Sequence, residues 1–111
     1  MATVEKKSLK QPDETKKLDK AKKESVTVAG VTITRITAEP GWRWSKDLRP
    51  VGGTESCQVH HIIYVVSGRL KVRMDDGKEE EFGPGDIGSV PPGHDGWTLG
   101  DKPAVWLEIP H

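Results

Sequence analysis

Four side chains have the chemistry of metal ligands and a spacing that could bring them together. Glu55, Cys57 and His61 occupy odd positions of one stretch, and His94 lies further along the chain. Residues two apart in a regular β-strand point to the same face, so the first three share one face. A facing His94 would complete a four-ligand set. Their oxygen, sulfur and nitrogen donors suit zinc, with iron as the second choice.

Each of these residues also has a structural interpretation that the sequence leaves open. Cys57 can be a small buried apolar side chain, because free cysteine packs like one. His61 can donate to a buried acceptor or stack on a tryptophan. The Pro92-Gly93 turn can direct His94 inward or outward, so spacing alone does not fix its direction. His60 lies on the opposite face from His61 and is predicted to point outward or toward a subunit interface.

A second kind of chemistry is suggested by the segment 94–97. Asp95 beside His94 could orient the imidazole as a general acid or base, but neighbours on a strand point to opposite faces. Hydrogen bonding of Asp95 to the backbone is the alternative. Trp97 is predicted to wall an apolar pocket. Trp42 and Trp44, on one face of an extended segment, either close one end of the core or line that pocket.

Short strands separated by turns must position these side chains. Alternating apolar residues and β-branched runs, bounded by Gly, Pro and Asp, predict antiparallel β-structure. Asp76-Gly77 predicts a two-residue type I′ hairpin turn. In the closing strand, Val105, Leu107 and Ile109 share a face, which places Trp106 on the other side and predicts a dimer interface there. The predicted strands lie at 26–28, 31–35, 58–66, 69–74, 78–82, 87–90 and 102–109.

The turns carry a resemblance to the cupin superfamily. Gly85, Pro91 and Gly93 match its second motif, a glycine followed by Pro-x-Gly and then a histidine, and Gly68 matches the closing glycine of its first motif. The resemblance covers about residues 25–109. It implies an all-β fold, a small double-stranded β-helix or jelly-roll barrel with an N-terminal arm.

The resemblance also places the candidate ligands, with departures from the family pattern. His61 stands where the family has a glutamate, Cys57 and Glu55 where it has His-x-His, and Gly96 where it has the last histidine. The family pattern puts the face of His61 inside the barrel. The predicted pocket therefore comprises Trp42, Trp44, Cys57, His61, His94 and Trp97, and the predicted metal ligands are Cys57, His61, His94 and Glu55.

Composition allows one domain of modest size. The 111 residues carry 17 basic and 17 acidic side chains, so charge does not favour nucleic acid or an anionic membrane. Residues 1–24 hold eight lysines and five acidic residues and are predicted to be a charged tail or arm, with the barrel domain at 25–111. One cysteine and no long apolar run favour a cytoplasmic protein.

Three functions are consistent with these features. The first is a small-molecule-binding barrel with a non-standard interior site and no metal. The second is a metal-dependent oxygenase, isomerase or lyase acting on a small organic substrate. The third is a structural module with a packed interior. The family resemblance further implies a homodimer.

Overall fold

The computed structural model of the chain describes residues 3–47 and 60–111. Glu55 and Cys57, and the first residues of the strand predicted from position 58, lie outside these ranges. The elements are β1 (Glu14–Leu18), β2 (Ala21–Val28), β3 (Val31–Ala38), α1 (Trp44–Asp47), β4 (His61–Ser67), β5 (Arg69–Met74), β6 (Glu79–Phe82), β7 (Ile87–Val90), β8 (His94–Leu99) and β9 (Ala104–Ile109).

Two antiparallel sheets face each other. One has six strands in the order β1-β2-β3-β9-β4-β7, and the other has three in the order β6-β5-β8. Apolar side chains from both inner faces form a single core, and full burial of one such side chain contributes about 1.5–3 kcal/mol. The all-β jelly-roll architecture predicted from the turns is confirmed. No helix in the described ranges is long and apolar enough to cross a membrane.

The sheet begins earlier than the charge pattern predicts. β1 and β2 pair from Glu14↔Ser25 to Leu18↔Ala21, so the predicted boundary between residues 24 and 25 falls inside β2. Leu18 and Ala21 turn inward against the core, which is enough to anchor a hairpin that is otherwise rich in lysine. Lysines on an edge strand discourage pairing with other chains.

Residues before β1 lie against the outer face of β2 and β3. Arg35 donates both to the Glu24 carboxylate (2.9 Å) and to the Leu9 carbonyl (3.2 Å), and Asp13 accepts from the Thr27 amide (2.9 Å). The hydrogen bond from Arg35 holds the pKa of Glu24 below its ordinary value, despite the opposing effect of burial. The N-terminal residues from Leu9 onward are therefore fastened to the sheet.

Two hairpins show how the turns set the register. Val28 pairs with Val31 across Ala29-Gly30, whose φ angles of +50° and +78° fit a two-residue type I′ turn. At the turn after β5, only Gly77 has a positive φ (+92°), and its amide donates to the Met74 carbonyl. The type I′ turn predicted at Asp76-Gly77 is therefore wrong: the connection is a longer type I turn closed by a left-handed glycine.

The prediction that Trp106 lies on the outer face of the closing strand is wrong. Apolar residues occupy both faces of this strand. Trp106 is only 6% exposed and lies in the core, with its ring centroid 5.9 Å from that of Trp42. Ala104 is fully buried on the same face. Alternation alone could not tell which side of this strand is inside. The structure places the larger indole in the interior and Val105 and Leu107 on the outer side.

Candidate functional site

The space between the two sheets contains a cavity of about 180 Å³. Its walls are mostly apolar, and its polar side chains come from β2, β4, β8 and β9. The lining residues include Leu18, Ile36, Trp42, Trp44, Ile63, Leu70, Val72, Val90, Gly96 and Trp106 on the apolar side, and Lys23, His61, His94 and Glu108 on the polar side. A largely apolar enclosure with a few convergent polar groups is the usual form of a small-molecule site.

His61 and His94 meet in this cavity from opposite sheets. Their ring centroids are 5.3 Å apart, in an edge-to-face arrangement. His61 occupies an inward position of β4 because residues 61, 63 and 65 share that face, while His94 begins β8 just after the left-handed Gly93. The Pro-Gly turn, which left the direction of His94 open in the sequence, thus turns this imidazole inward, where it is 6% exposed.

Each of the two imidazoles is held through its Nδ1 atom. His94 Nδ1 lies 2.7 Å from the Pro91 carbonyl oxygen, and His61 Nδ1 lies 3.3 Å from Glu108 Oε1. A carbonyl can only accept a hydrogen bond, so His94 carries its hydrogen on Nδ1. In the neutral ring, Nε2 of His94 is then an acceptor for whatever enters the cavity.

Glu108 was not identified from the sequence. It lies on the inner face of β9, two residues from Trp106, and lines the cavity. Burial raises the pKa of its carboxyl, but hydrogen bonding to His61 and the positive charges of His61 and Lys23 outweigh this and hold the pKa below its ordinary value. Glu108 is therefore a carboxylate at neutral pH. A lone acidic residue in an otherwise apolar strand was the signal that could have found it.

The tryptophans divide between the cavity and the outer surface. Trp42 and Trp44 both line the cavity, although Trp44 begins the short helix α1 instead of continuing an extended segment. Trp97 does not line it. Inward positions of β8 are 94, 96 and 98, so Trp97 faces outward, under the guanidinium of Arg43, which lies 4.4 Å from its ring centroid.

Asp95 also faces outward and does not orient His94. One carboxylate oxygen accepts from the amides of Ser45 (3.0 Å) and Gly96 (2.9 Å), and the other accepts from Arg43 Nε (3.0 Å). These bonds tie the start of α1 to β8. The backbone role weighed for Asp95 is the one that the structure has, and the carboxylate beside an imidazole in the cavity is Glu108 instead.

The described residues do not by themselves form a complete set of metal ligands. In ranges 3–47 and 60–111, no three metal-ligating side chains converge. His61 and His94 are both anchored through Nδ1 to an oxygen acceptor, an arrangement typical of metal-bound histidine. Glu55 and Cys57, the other predicted ligands, lie outside the described residues. The two imidazoles fit a metal as two of its ligands.

Trp42 carries an unusual feature for a core residue. Its indole Nε1–H is buried and has no hydrogen-bond partner among the residues that the structure describes. An unpaired buried donor of this kind costs about 1–3 kcal/mol. The indole ring of Trp42 therefore contributes to the core by apolar packing.

Comparison with known proteins identifies relatives by sequence family and by fold. The family model described as the cupin domain matches residues 50–110. Among proteins with curated descriptions, none matches the sequence significantly. Solved structures similar to this chain include the polyketide cyclase RemF from Streptomyces resistomycificus, at 16% identity and a TM-score of 0.68, with 96% of this chain and 78% of that chain covered.

Two further structures show the range of proteins with this fold. A protein of unknown function from Acidithiobacillus ferrooxidans is 20% identical, with a TM-score of 0.65 and coverage of 89% of this chain and 88% of its own. A sugar phosphate isomerase of the cupin superfamily from Silicibacter pomeroyi is 21% identical, with a TM-score of 0.58 and coverage of 82% and 59%. At these identities the likeness establishes the fold alone.

Proposed function

The chain belongs to the cupin family, and on this premise we propose that it binds a small, largely apolar organic molecule in the cavity between its sheets. The observation that carries the proposal is the cavity itself: about 180 Å³, apolar on most sides, with two anchored imidazoles at its polar end. An apolar cavity of about 150 Å³ is known to hold benzene. A single-ring compound is therefore the size class that fits.

The polar end of the cavity determines which substituent the ligand ring should have. His94 Nε2 is an acceptor held in place by the bond from Nδ1 to Pro91. A hydroxyl on the ligand would donate to it, while the ring would pack against the indoles of Trp42, Trp44 and Trp106. We therefore propose a hydroxylated single-ring compound, such as a para-substituted phenol, as the ligand class.

Calorimetric titration with p-cresol and toluene tests this proposal. The protein should bind both, and His94→Ala should weaken p-cresol binding about five- to tenfold, the value of one hydrogen bond. Toluene has no hydroxyl, so its affinity should be unchanged by the same substitution. His60→Ala is the matched control and should alter neither affinity. If neither compound binds the unsubstituted protein, the proposal is wrong.

A second candidate function is a metal-dependent enzyme acting on a small organic substrate. The anchoring of both imidazoles through Nδ1 favours it, because such bonds orient metal ligands. His61 and His94 would hold the metal together with Cys57 or Glu55, and a bound zinc or iron would supply Lewis-acid chemistry. Elemental analysis of protein purified without chelator separates the two functions. Stoichiometric metal that is lost in His61→Ala/His94→Ala supports the enzyme, and metal-free folded protein removes it.

We also propose that a second copy of the chain covers the outer face of β4, β7 and β9. This face exposes Tyr64, Val66, Ile87 and Ile109, at 39%, 45%, 70% and 37% of their surface. Its outward positions carry no charge, so two copies could meet there without like-charge repulsion. Ile87→Lys should convert a dimer to a monomer in sedimentation analysis, and an unsubstituted protein that sediments as a monomer contradicts the proposal.

A further inference from the structure

Neither the backbone conformation nor steric crowding requires a glycine at position 96. Its φ is not in the left-handed region, and an added Cβ would meet only ordinary contacts: Lys71 O at 3.5 Å, Leu70 Cδ1 at 3.9 Å and Trp42 Cζ3 at 4.0 Å. By contrast, a Cβ at Gly68 would clash with the Pro103 carbonyl oxygen, and one at Gly88 would clash with the Phe82 ring. Those two glycines are needed for packing, and Gly96 is not.

The position of Gly96 is that of a ligand contact. It lies on the inner face of β8 between His94 and Thr98 and lines the cavity. A Cβ added at this position would contact Leu70 and Trp42, and both of these residues also line the cavity. Glycine in a strand interior costs stability, and one such site is where a ligand approaches the backbone. The free volume above Gly96 therefore belongs to the cavity.

We propose that Gly96 is the specificity-determining residue of this site, and that the ring of the ligand lies over it, between Leu70 and Trp42. His94, two residues away on the same face, then receives the hydroxyl group while the para substituent of the ring points away from it. A side chain at position 96 would displace the ring and thereby reduce the space left for that substituent. This inference rests on the proposed function and adds to it the residue that limits ligand size.

A substitution at this position should have opposite effects on the fold and on binding. Gly96→Ala removes backbone freedom from the unfolded chain, and its methyl group would make only ordinary van der Waals contacts. The Tm should therefore stay the same or rise by up to about 6 °C. The added methyl occupies ligand volume, and one such group in an apolar pocket is worth roughly tenfold or more in discrimination. If Gly96 had only a structural role, its substitution would not change the ligand preference while leaving the fold stable.

The experiment compares phenol, p-cresol and 4-ethylphenol by calorimetry on the full chain and on Gly96→Ala and Gly96→Val. The preference for phenol over 4-ethylphenol should increase at least about tenfold in Gly96→Ala and further in Gly96→Val. Gly83→Ala is the matched control. Gly83 lies outside the cavity lining, has no left-handed φ, and its added Cβ would meet only Asp86 Oδ2 at 3.9 Å. It should leave the preference unchanged.

The possible outcomes distinguish failure of this inference from failure of the proposed function. A Tm that falls by more than a few degrees in Gly96→Ala would mean that the glycine is structural, and the inference would be wrong. Phenols that bind the unsubstituted protein and Gly96→Ala with the same order of affinity would place the ring elsewhere in the cavity and overturn the inference alone. Absence of binding by all three phenols to the unsubstituted protein would overturn the proposed function and this inference with it.

Discussion

Two pairs of histidines lie near the same end of the molecule. The two rings are in contact within each pair, but the pairs differ in burial and in hydrogen-bond partners. His61 and His94 meet inside the barrel with centroids 5.3 Å apart, and His60 and His111 meet on its surface at 4.6 Å. The inner pair is anchored by a carboxylate and a carbonyl. In the outer pair, His60 Nε2 is 2.8 Å from the Ser89 hydroxyl, and His111 Nε2 donates to the His60 carbonyl.

The contrast shows that ring proximity alone does not make a site. His60 and His61 are adjacent in sequence, yet the strand sends one to water and the other to a mostly apolar cavity. In the cavity, hydrogen bonds to Nδ1 fix the orientation of each ring, and mostly apolar walls surround the space in which a ligand would bind. On the surface, solvent competes with every contact that His60 and His111 make.

The largest expected difference between the pairs is in stability. His61→Ala removes one hydrogen-bond partner of the partly buried Glu108 carboxylate and should lower the free energy of unfolding by about 1–3 kcal/mol. His60→Ala, at an exposed position, should change it by less than about 0.5 kcal/mol. Urea denaturation measures both. The double variant His61→Ala/Glu108→Gln should recover part of the loss, and equal effects of the two single variants would contradict the comparison.

A smaller difference is expected in the response to acid. The pKa of Glu108 is below its ordinary value, so its contribution to stability is present above the unfolded-state pKa of about 4.3 and is lost as pH falls through the lower folded-state pKa. Glu108→Gln should therefore flatten the decline of the unfolding free energy between pH 5 and pH 3. His60→Ala should leave that decline as it is. An unchanged slope in Glu108→Gln would show that the His61–Glu108 contact contributes no net stability.

The smallest expected effect is that of the terminal histidine. His111→Ala removes one ring from the exposed pair and one hydrogen bond to the His60 carbonyl, so the free energy of unfolding should change by less than about 0.5 kcal/mol. The NMR resonances of the His60 ring should shift, because the ring current of His111 is gone. The affinity for p-cresol should be unchanged. A changed affinity would mean that the outer histidine pair influences ligand binding in the cavity.

Much of the architecture could be predicted from local pattern. The turn at Ala29-Gly30, the alternation from Arg69 to Met74, and the glycines and prolines at 85–93 all lie where the sequence indicates strands and turns. These features depend on backbone preferences of a few adjacent residues, which the sequence displays directly. The hairpin of β1 and β2 could not be predicted in this way, because its stability comes from pairing with β3 and from two inward apolar side chains.

The amino-acid sequence by itself determined the family, the all-β fold and the presence of histidines suited to a site. Only the tertiary structure decided which faces are inside. It placed Trp106 and Glu108 in the interior, since apolar residues lie on both faces of β9 and leave no pattern that distinguishes them. It placed Trp97 and Asp95 outside, although the apolar side chains of β8 lie on that face. The pairing of His61 with Glu108 joins strands that are far apart in sequence. Such a contact depends on sheet order and register, which no local run of residues encodes.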